Sequence, residues 1–186
     1  MDPDRDDAVR LRRGDLAGLT GLMRRHQDRL FRYLVRLLGD ETVAEDVFQQ
    51  AWLRATERIS RYDASRPFVP WLLTVARNLA FDHLRRYQPE NLADLDDARA
   101  SEDGTEGSPL AGLAARQRGE RLAAAIAALS ALDREVLALR FEQDFTLVEM
   151  AGVLGLPLPT VKARLYRALV RLKRRLLDQG PPEEWT

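Results

Sequence analysis

The 186-residue chain has no cysteine and only two histidines, His26 and His83. That excludes a disulfide framework, a cysteine zinc site, a thiol nucleophile and an all-histidine metal centre. Aromatic residues make up 7% of the chain. Strand-favouring aliphatics are scarce, with two isoleucines and 11 valines against 31 leucines and 24 alanines. Leucine and alanine are strong helix formers, so the expected fold is all-α. No apolar run approaches the ~18 residues of a membrane span. The N-terminal stretch is acidic and lacks the apolar core of a signal peptide. These absences predict a soluble, cytoplasmic protein. Lysine occurs only at Lys162 and Lys173, every other basic residue being arginine. Nor is there an excess of either charge: 29 basic and 29 acidic residues sum to zero, which argues against binding nucleic acid through bulk positive charge.

The zero is a sum of unequal parts. Residues 1–88 carry a net +3, residues 89–112 a net −6 and residues 113–186 a net +3. The middle stretch holds Pro89, Gly104, Gly107, Ser108, Pro109 and Gly112 but no aromatic residue. It reads as a flexible acidic linker between two small helical domains, 1–88 and 113–178, with 179–186 as a disordered tail.

In the first domain, Leu30, Phe31, Leu34, Val35, Leu37 and Leu38 form a helical apolar stripe that stops at Gly39-Asp40. Val43, Val47, Phe48, Ala51, Trp52 and Ala55 repeat at helical spacing in the next segment. After a turn-rich break over 61–67, a third helix is predicted from about Pro70 to Arg86. Its apolar face is Leu72, Ala76, Leu79, Ala80 and His83; its other face gathers Arg77, Asn78, Asp82, Arg85 and Arg86. His83 reads as a partly buried structural histidine. The basic face reads as solvated when taken alone. The aromatics Tyr62, Phe68, Trp71 and Phe81 around it suit either core packing or stacking on single-stranded bases.

In the second domain, Leu122, Ala125, Ile126 and Leu129 form one helix, and another opens near Asp133. Thr146 and Glu149 have capping-box spacing, in which hydroxyl and carboxylate each satisfy a helix-end amide. Gly155 closes that helix, and Pro159 suits the first turn of the next. Ala151, Gly155 and Val161 have the spacing of a helix-turn-helix: a small residue for a close crossing, a glycine for the turn, a β-branched residue for packing. Along the last helix Val161, Leu165, Ala168, Leu169, Leu172 and Leu176 are expected to face inward. Thr160, Arg164, Arg167 and Arg171 are expected to face outward. Seven basic residues and no acid lie between Pro159 and Arg175. Such a helix suits the DNA major groove, where arginine bonds guanine in bidentate fashion. An ordinary amphipathic helix with a solvated basic face is the alternative.

Four segments in order resemble the extracytoplasmic-function (ECF) group of the bacterial RNA polymerase sigma-70 family. They are residues 44–55 (AEDVFQQAWLRA), 67–86 (PFVPWLLTVARNLAFDHLRR), 132–140 (LDREVLALR) and 160–168 (TVKARLYRA). The resemblance implies a region 2 helical bundle, a linker and a region 4 helix-turn-helix. It implies docking of Asp46, Gln49, Gln50 and Trp52 on the β′ clamp helices of core RNA polymerase, with the β flap as a second contact. It implies −10 contacts by Ser65, Arg66, Phe68, Arg77, Asn78, Asp82, Arg85 and Arg86. Contacts to −35 DNA would come from Thr160, Lys162, Ala163, Arg164, Arg167 and Arg171. The chain departs from the family pattern at Gln50, where an acid is usual, and at Trp52, where phenylalanine is common. It departs again at Pro159, in place of a frequent glycine, and at Ala163, in place of serine. On this reading the protein needs no cofactor, is not an enzyme, and has promoter DNA and an anti-sigma factor as further partners. A stand-alone helix-turn-helix regulator binding DNA as a dimer is the rival. No nucleophile–base pair, metal spacing or phosphate loop supports an enzyme.

Overall fold

A computed structural model describes residues 2–92 and 113–178. Among the described residues there is no strand. The described residues form eight α-helices, in chain order: α1 (Pro3–Arg12), α2 (Leu16–Leu38), α3 (Glu41–Arg58), α4 (Phe68–Tyr87), α5 (Leu113–Ala127), α6 (Ala131–Leu137), α7 (Leu147–Leu154) and α8 (Leu158–Asp178). Most of the stretch read as an acidic linker, and all of the tail 179–186, lie outside the described residues.

Helix boundaries follow local chemistry. The side chains of Asp15 and Asp40 cap α2 and α3 by accepting from Ala17 N and Val43 N. Gly39 ends α2 in the left-handed region at φ 75°, which a residue without Cβ adopts at no steric cost. α4 starts at Phe68, two residues earlier than the sequence predicts, because Pro67 can lead into a first turn without needing its own N–H. α6 likewise starts at Ala131, since Ser130 is its cap. It runs on into a π-helical turn over Ala138–Glu142.

Of the α2 stripe, Leu30, Leu34, Leu37 and Leu38 are buried, and Phe31 and Val35 are half-buried. The stripe does not anticipate Tyr33, which is fully buried for the polar reason given below. Three expectations in the second domain need correction. Leu122 and Leu169 are substantially exposed rather than internal, and Leu129 is buried but falls just beyond the end of α5. Leu122 and Leu169 sit where the apolar stripe of each helix is wider than the face its neighbours cover.

α1 has no counterpart in the sequence reading. Asp2 caps it and Pro3 occupies its first turn. It docks on α2 through Arg25, which bonds Asp4 and Asp7 at 2.7 Å each, and through His26, 2.7 Å from Asp4. Gly18 and Gly21 let the two helices touch. A Cβ on Gly18 would meet the Asp7 carbonyl oxygen, and one on Gly21 the Asp7 carboxylate.

Helices α1–α4 form one bundle and α5–α8 another. The two pack together, α2 and α4 against α6 and α7, so one continuous apolar core runs through both.

Candidate nucleic-acid and partner interfaces

The helix-turn-helix forms as the spacing predicts. Thr146 Oγ1 accepts from Glu149 N at 3.2 Å while the Glu149 carboxylate accepts from Thr146 N at 2.8 Å. Those two donations from Thr146, N–H and hydroxyl, hold the Glu149 carboxyl below the usual glutamate value. Gly155 turns the chain at φ 65°, and Val161 is fully buried where α8 crosses α7. Lys162, Ala163 and Arg167 are exposed on α8, and Thr160 and Arg164 are half-buried. Arg171 departs from the outward set: its guanidinium donates to Asp133 at 2.8 Å, and that carboxylate is 2% exposed. Arg171 ties α8 to α6, so its place in the structure is an internal ion pair rather than an open phosphate contact.

On α4, Asn78, Asp82, Arg85 and Arg86 are exposed, and Asp82 pairs with Arg85. Ser65 and Arg66 are exposed in the preceding turn, whose Asp63 carboxylate accepts from Ser65 N and Oγ at 3.0 and 2.7 Å. Phe68 differs from the expectation. It is 2% exposed, with its ring 5.4 Å from Tyr62, 5.5 Å from Trp71 and 5.7 Å from His26. Burial of ring area outweighs presentation to a base, and Phe68 shapes the loop from below.

The face of α3 needs a similar correction. Asp46, Gln49 and Gln50 are exposed, but Trp52 is 5% exposed and packs edge-on to Phe48. Its indole N–H finds no acceptor. The exposed apolar residue is instead Leu53, at 65% exposure. Asp46, Gln49, Gln50 and Leu53 follow the spacing i, i+3, i+4, i+7 and so share one helix face. The resemblance drew attention to the bulky aromatic; helical phase picks out its neighbour.

The least expected arrangement lies between the two bundles. Glu135 on α6 is fully buried. Tyr33 Oη of α2 donates to its Oε1 at 2.9 Å, and Arg77 Nε of α4 donates to the same oxygen at 2.7 Å. Arg77 also lies over the Phe81 ring, 4.4 Å from its centroid. Burial pushes the Glu135 carboxyl up, against the opposing pull of Arg77, the Tyr33 hydroxyl and Arg164 of α8. Burial and the adjacent carboxylate together push the Tyr33 phenol well up. Nearby, Arg134 donates to the carbonyls of Leu37, Ala127 and Leu129 at 2.9–3.1 Å. Arg29 clasps Gln143 through its side-chain and backbone oxygens at 2.5 and 2.6 Å, and Arg36 pairs with Glu142 at 2.7 Å. A cavity of about 470 Å³ opens beside the cluster, with Arg77, Asn78, Asp82 and Arg85 on one wall and Arg164 and Leu132 on the other. No local pattern marked Glu135 or Tyr33 as buried partners, because Tyr33 lies 102 residues and Arg77 58 residues from Glu135.

Among the described residues no cluster of histidine, cysteine or carboxylate side chains is placed to hold a metal. No described helix is long and apolar enough to cross a membrane.

Comparison with known proteins agrees over both bundles. The family model of Sigma-70 region 2 matches residues 22–90, and that of Sigma-70 region 4 matches residues 119–172. The ECF RNA polymerase sigma factor SigL of Mycobacterium tuberculosis is 35% identical over 175 residues, spanning 90% of this chain and 96% of its own. The ECF RNA polymerase sigma factor SigW of Bacillus subtilis is 27% identical over 180 residues, spanning 90% of this chain and 94% of its own. Among solved structures, CnrH in complex with the cytosolic domain of CnrY is similar with a TM-score of 0.70 and 28% identity, covering 97% of this chain and all of CnrH.

Proposed function

Because the chain belongs to the ECF group of RNA polymerase sigma factors, we propose that it docks on core RNA polymerase through α3 and reads the −10 and −35 promoter elements through α4 and α8. The observation that carries the DNA assignment is the helix-turn-helix of α7 and α8. Its capping box and left-handed glycine hold α8 with Lys162, Ala163 and Arg167 on an open face and Thr160 and Arg164 at its edge. Arg164 and Arg167 suit base edges in the major groove, and Lys162 suits a phosphate. On α4 and its entry turn, Ser65, Arg66, Arg77, Asn78, Asp82, Arg85 and Arg86 are the contacts for unpaired −10 bases. Phe68 supports that turn, and Arg171 holds α8 in place.

For the polymerase contact, Asp46, Gln49, Gln50 and Leu53 form the face offered to the β′ clamp helices, with Leu53 as its apolar anchor and Trp52 as internal support. The domain limits proposed are 1–88 and 113–178, joined by an acidic linker. The protein has no catalytic role or cofactor and works in the cytoplasm. A dimeric regulator binding DNA alone is not favoured, since the family likeness extends over both domains. CnrH was solved with the cytosolic domain of another protein; a protein partner of that kind, an anti-sigma factor, is proposed for this chain as well.

Transcription reconstituted from core RNA polymerase, a genomic promoter library and this protein tests the proposal. Defined start sites that depend on the added chain are expected. Leu53→Asp should abolish them and weaken co-purification with core polymerase, while leaving helicity and thermal stability unchanged, because the side chain is on the surface. Start sites identical with and without the protein overturn the proposal.

A further inference from the structure

The loop that leads into α4 runs from Tyr62 to Pro67, between a 3₁₀ turn over Ile59–Arg61 and Phe68. Its rim is open to water: Asp63, Ser65 and Arg66 are all exposed. The Asp63 carboxylate bonds Ser65 and lies 3.4 Å from the Arg66 guanidinium, and such exposed contacts hold little against water. One bond of the loop is shielded. The Tyr62 hydroxyl donates to the Arg66 carbonyl at 2.5 Å, and Tyr62 is 4% exposed. The Arg66 N–H in turn donates to the Asp63 carbonyl at 3.0 Å, so the backbone at Arg66 is tied on both sides. Pro67 follows with its φ fixed by the ring.

Tyr62 rests on a chain of contacts that ends at α1. Its ring meets Phe68 edge-on and lies 5.2 Å from Trp71. Behind Phe68 stands His26 of α2, whose Nε2 is 2.7 Å from the Asp4 carboxylate of α1. Arg25, the neighbour of His26, reaches Asp4 and Asp7 together. α1 also touches the 3₁₀ turn directly. Burial first, and then the Asp2 and Asp4 carboxylates, push the Tyr62 phenol above its usual value, so α1 acts electrostatically at the base of the loop. α1 precedes residues 22–90, the stretch that the region 2 model matches.

We infer that Tyr62 and α1 are positioning elements for −10 reading: the Tyr62–Arg66 bond fixes the loop backbone from below, and α1, through Asp4 and His26, fixes the aromatic cluster that carries Tyr62. The inference rests on the proposed −10 role of Ser65 and Arg66. A base drawn out of the stack must find its partners already in place. Ordering a loop at the moment of capture subtracts from affinity. With the backbone held at Arg66 and Pro67, that cost falls only on the segment Asp63–Ser65. Neither Tyr62 nor α1 touches DNA on this reading; both act through the residues that do.

Two readouts test it. In the first, holoenzyme reconstituted with core polymerase is titrated with two probes from a promoter mapped as above. One is the non-template single strand across the −10 element, carrying a fluorescent base analogue, and the other is the −35 duplex. Tyr62→Phe keeps the ring and deletes only the bond to Arg66. It should weaken the single strand about threefold to tenfold and leave the −35 duplex unchanged within about twofold. Asp4→Asn, which leaves Arg25 on Asp7, should weaken the single strand in the same direction by a smaller factor. In the second, amide hydrogen exchange of the free full-length protein reads the loop itself. The Arg66 amide should exchange about fivefold faster in Tyr62→Phe and measurably faster in Asp4→Asn, with the amides of α8 unaltered.

A merely structural role would weaken both probes alike. Equal losses on the two probes, or unchanged Arg66 exchange or unchanged single-strand affinity in Tyr62→Phe, overturns the inference. No effect of Asp4→Asn on either readout overturns the part assigned to α1. Failure of the unaltered holoenzyme to bind the single strand overturns the proposed −10 reading instead, and Arg66 exchange still decides whether Tyr62 and α1 hold the loop.

Discussion

Replacing Arg134 by methionine should destabilise the protein by about 2–4 kcal/mol. Arg134 is 6% exposed, and among the described residues no carboxylate pairs with it. It donates instead to the carbonyls of Leu37, Ala127 and Leu129 at 2.9, 3.1 and 3.0 Å. Leu37 lies in the last turn of α2 and Ala127 is the last residue of α5. The cation therefore sits at the negative end of two helix dipoles, one from each domain. Hydrogen bonds to a charged donor are worth about 1.5–3 kcal/mol each, so three give a gross loss of about 4.5–9 kcal/mol. Two effects reduce it. Burial and the neighbouring Arg36 both disfavour the charge, and that cost disappears with it. Methionine also refills much of the volume and keeps apolar contact. Urea unfolding followed by circular dichroism at neutral pH measures the difference. Arg134→Lys should lose an intermediate amount, since an ammonium keeps the charge but cannot span three carbonyls set for a planar fork. A loss below about 1 kcal/mol for the methionine variant would refute the reasoning, by showing that desolvation cancels the helix-end bonds.

Glu135 and Glu149 should give pH profiles of opposite sign. The raised Glu135 carboxyl adds stability to the folded state at acid pH, and that contribution fades as pH rises through its folded value; the lowered Glu149 carboxyl adds stability above its ordinary value, lost as pH falls through its folded one. Unfolding against pH for Glu135→Gln and Glu149→Gln should flatten one limb each, and a shared limb would contradict the assignments. Arg171→Ala leaves Asp133 buried and unpaired, so it should cost about 3–5 kcal/mol of stability. Arg167→Ala, exposed on the same helix, should leave the unfolding midpoint unchanged and cost about 1–3 kcal/mol in −35 DNA discrimination, measured with polymerase present. Gly18→Ala forces a Cβ onto the Asp7 carbonyl and should cost about 1–3 kcal/mol, whereas Gly152→Ala meets open space within α7 and should add up to ~1 kcal/mol through helix propensity; paired thermal scans compare them.

Most of the helices could be read from the chain because their causes are local. The α2 stripe, the cap at Asp40, the stop at Gly39, the Thr146–Glu149 box and the turn at Gly155 each depend on residues within a few positions of one another. The helix-turn-helix and the two-domain plan follow from those signals and from the charge distribution. α1 escaped notice because its stability comes from Arg25, His26 and Gly18 on another helix rather than from its own apolar pattern.

Side-chain placement divides along the same line. Asp46, Gln49 and Gln50 are exposed as their types suggest, but burial of ring area draws Trp52 and Phe68 inward, and phase puts Leu53 on the surface. Arg77 and Arg171 look alike in sequence to Arg85 and Arg167, as cations on amphipathic helices. What separates them is a carboxylate across the fold, Glu135 for one and Asp133 for the other. Composition and periodicity settle that this chain is two helical domains with a basic recognition helix, since they rest on contacts one or two turns long. Which arginines stay open and which close the molecule on itself depends on partners brought in from up to 114 residues away. Long-range electrostatics of that kind leaves no periodic trace in the order of residues.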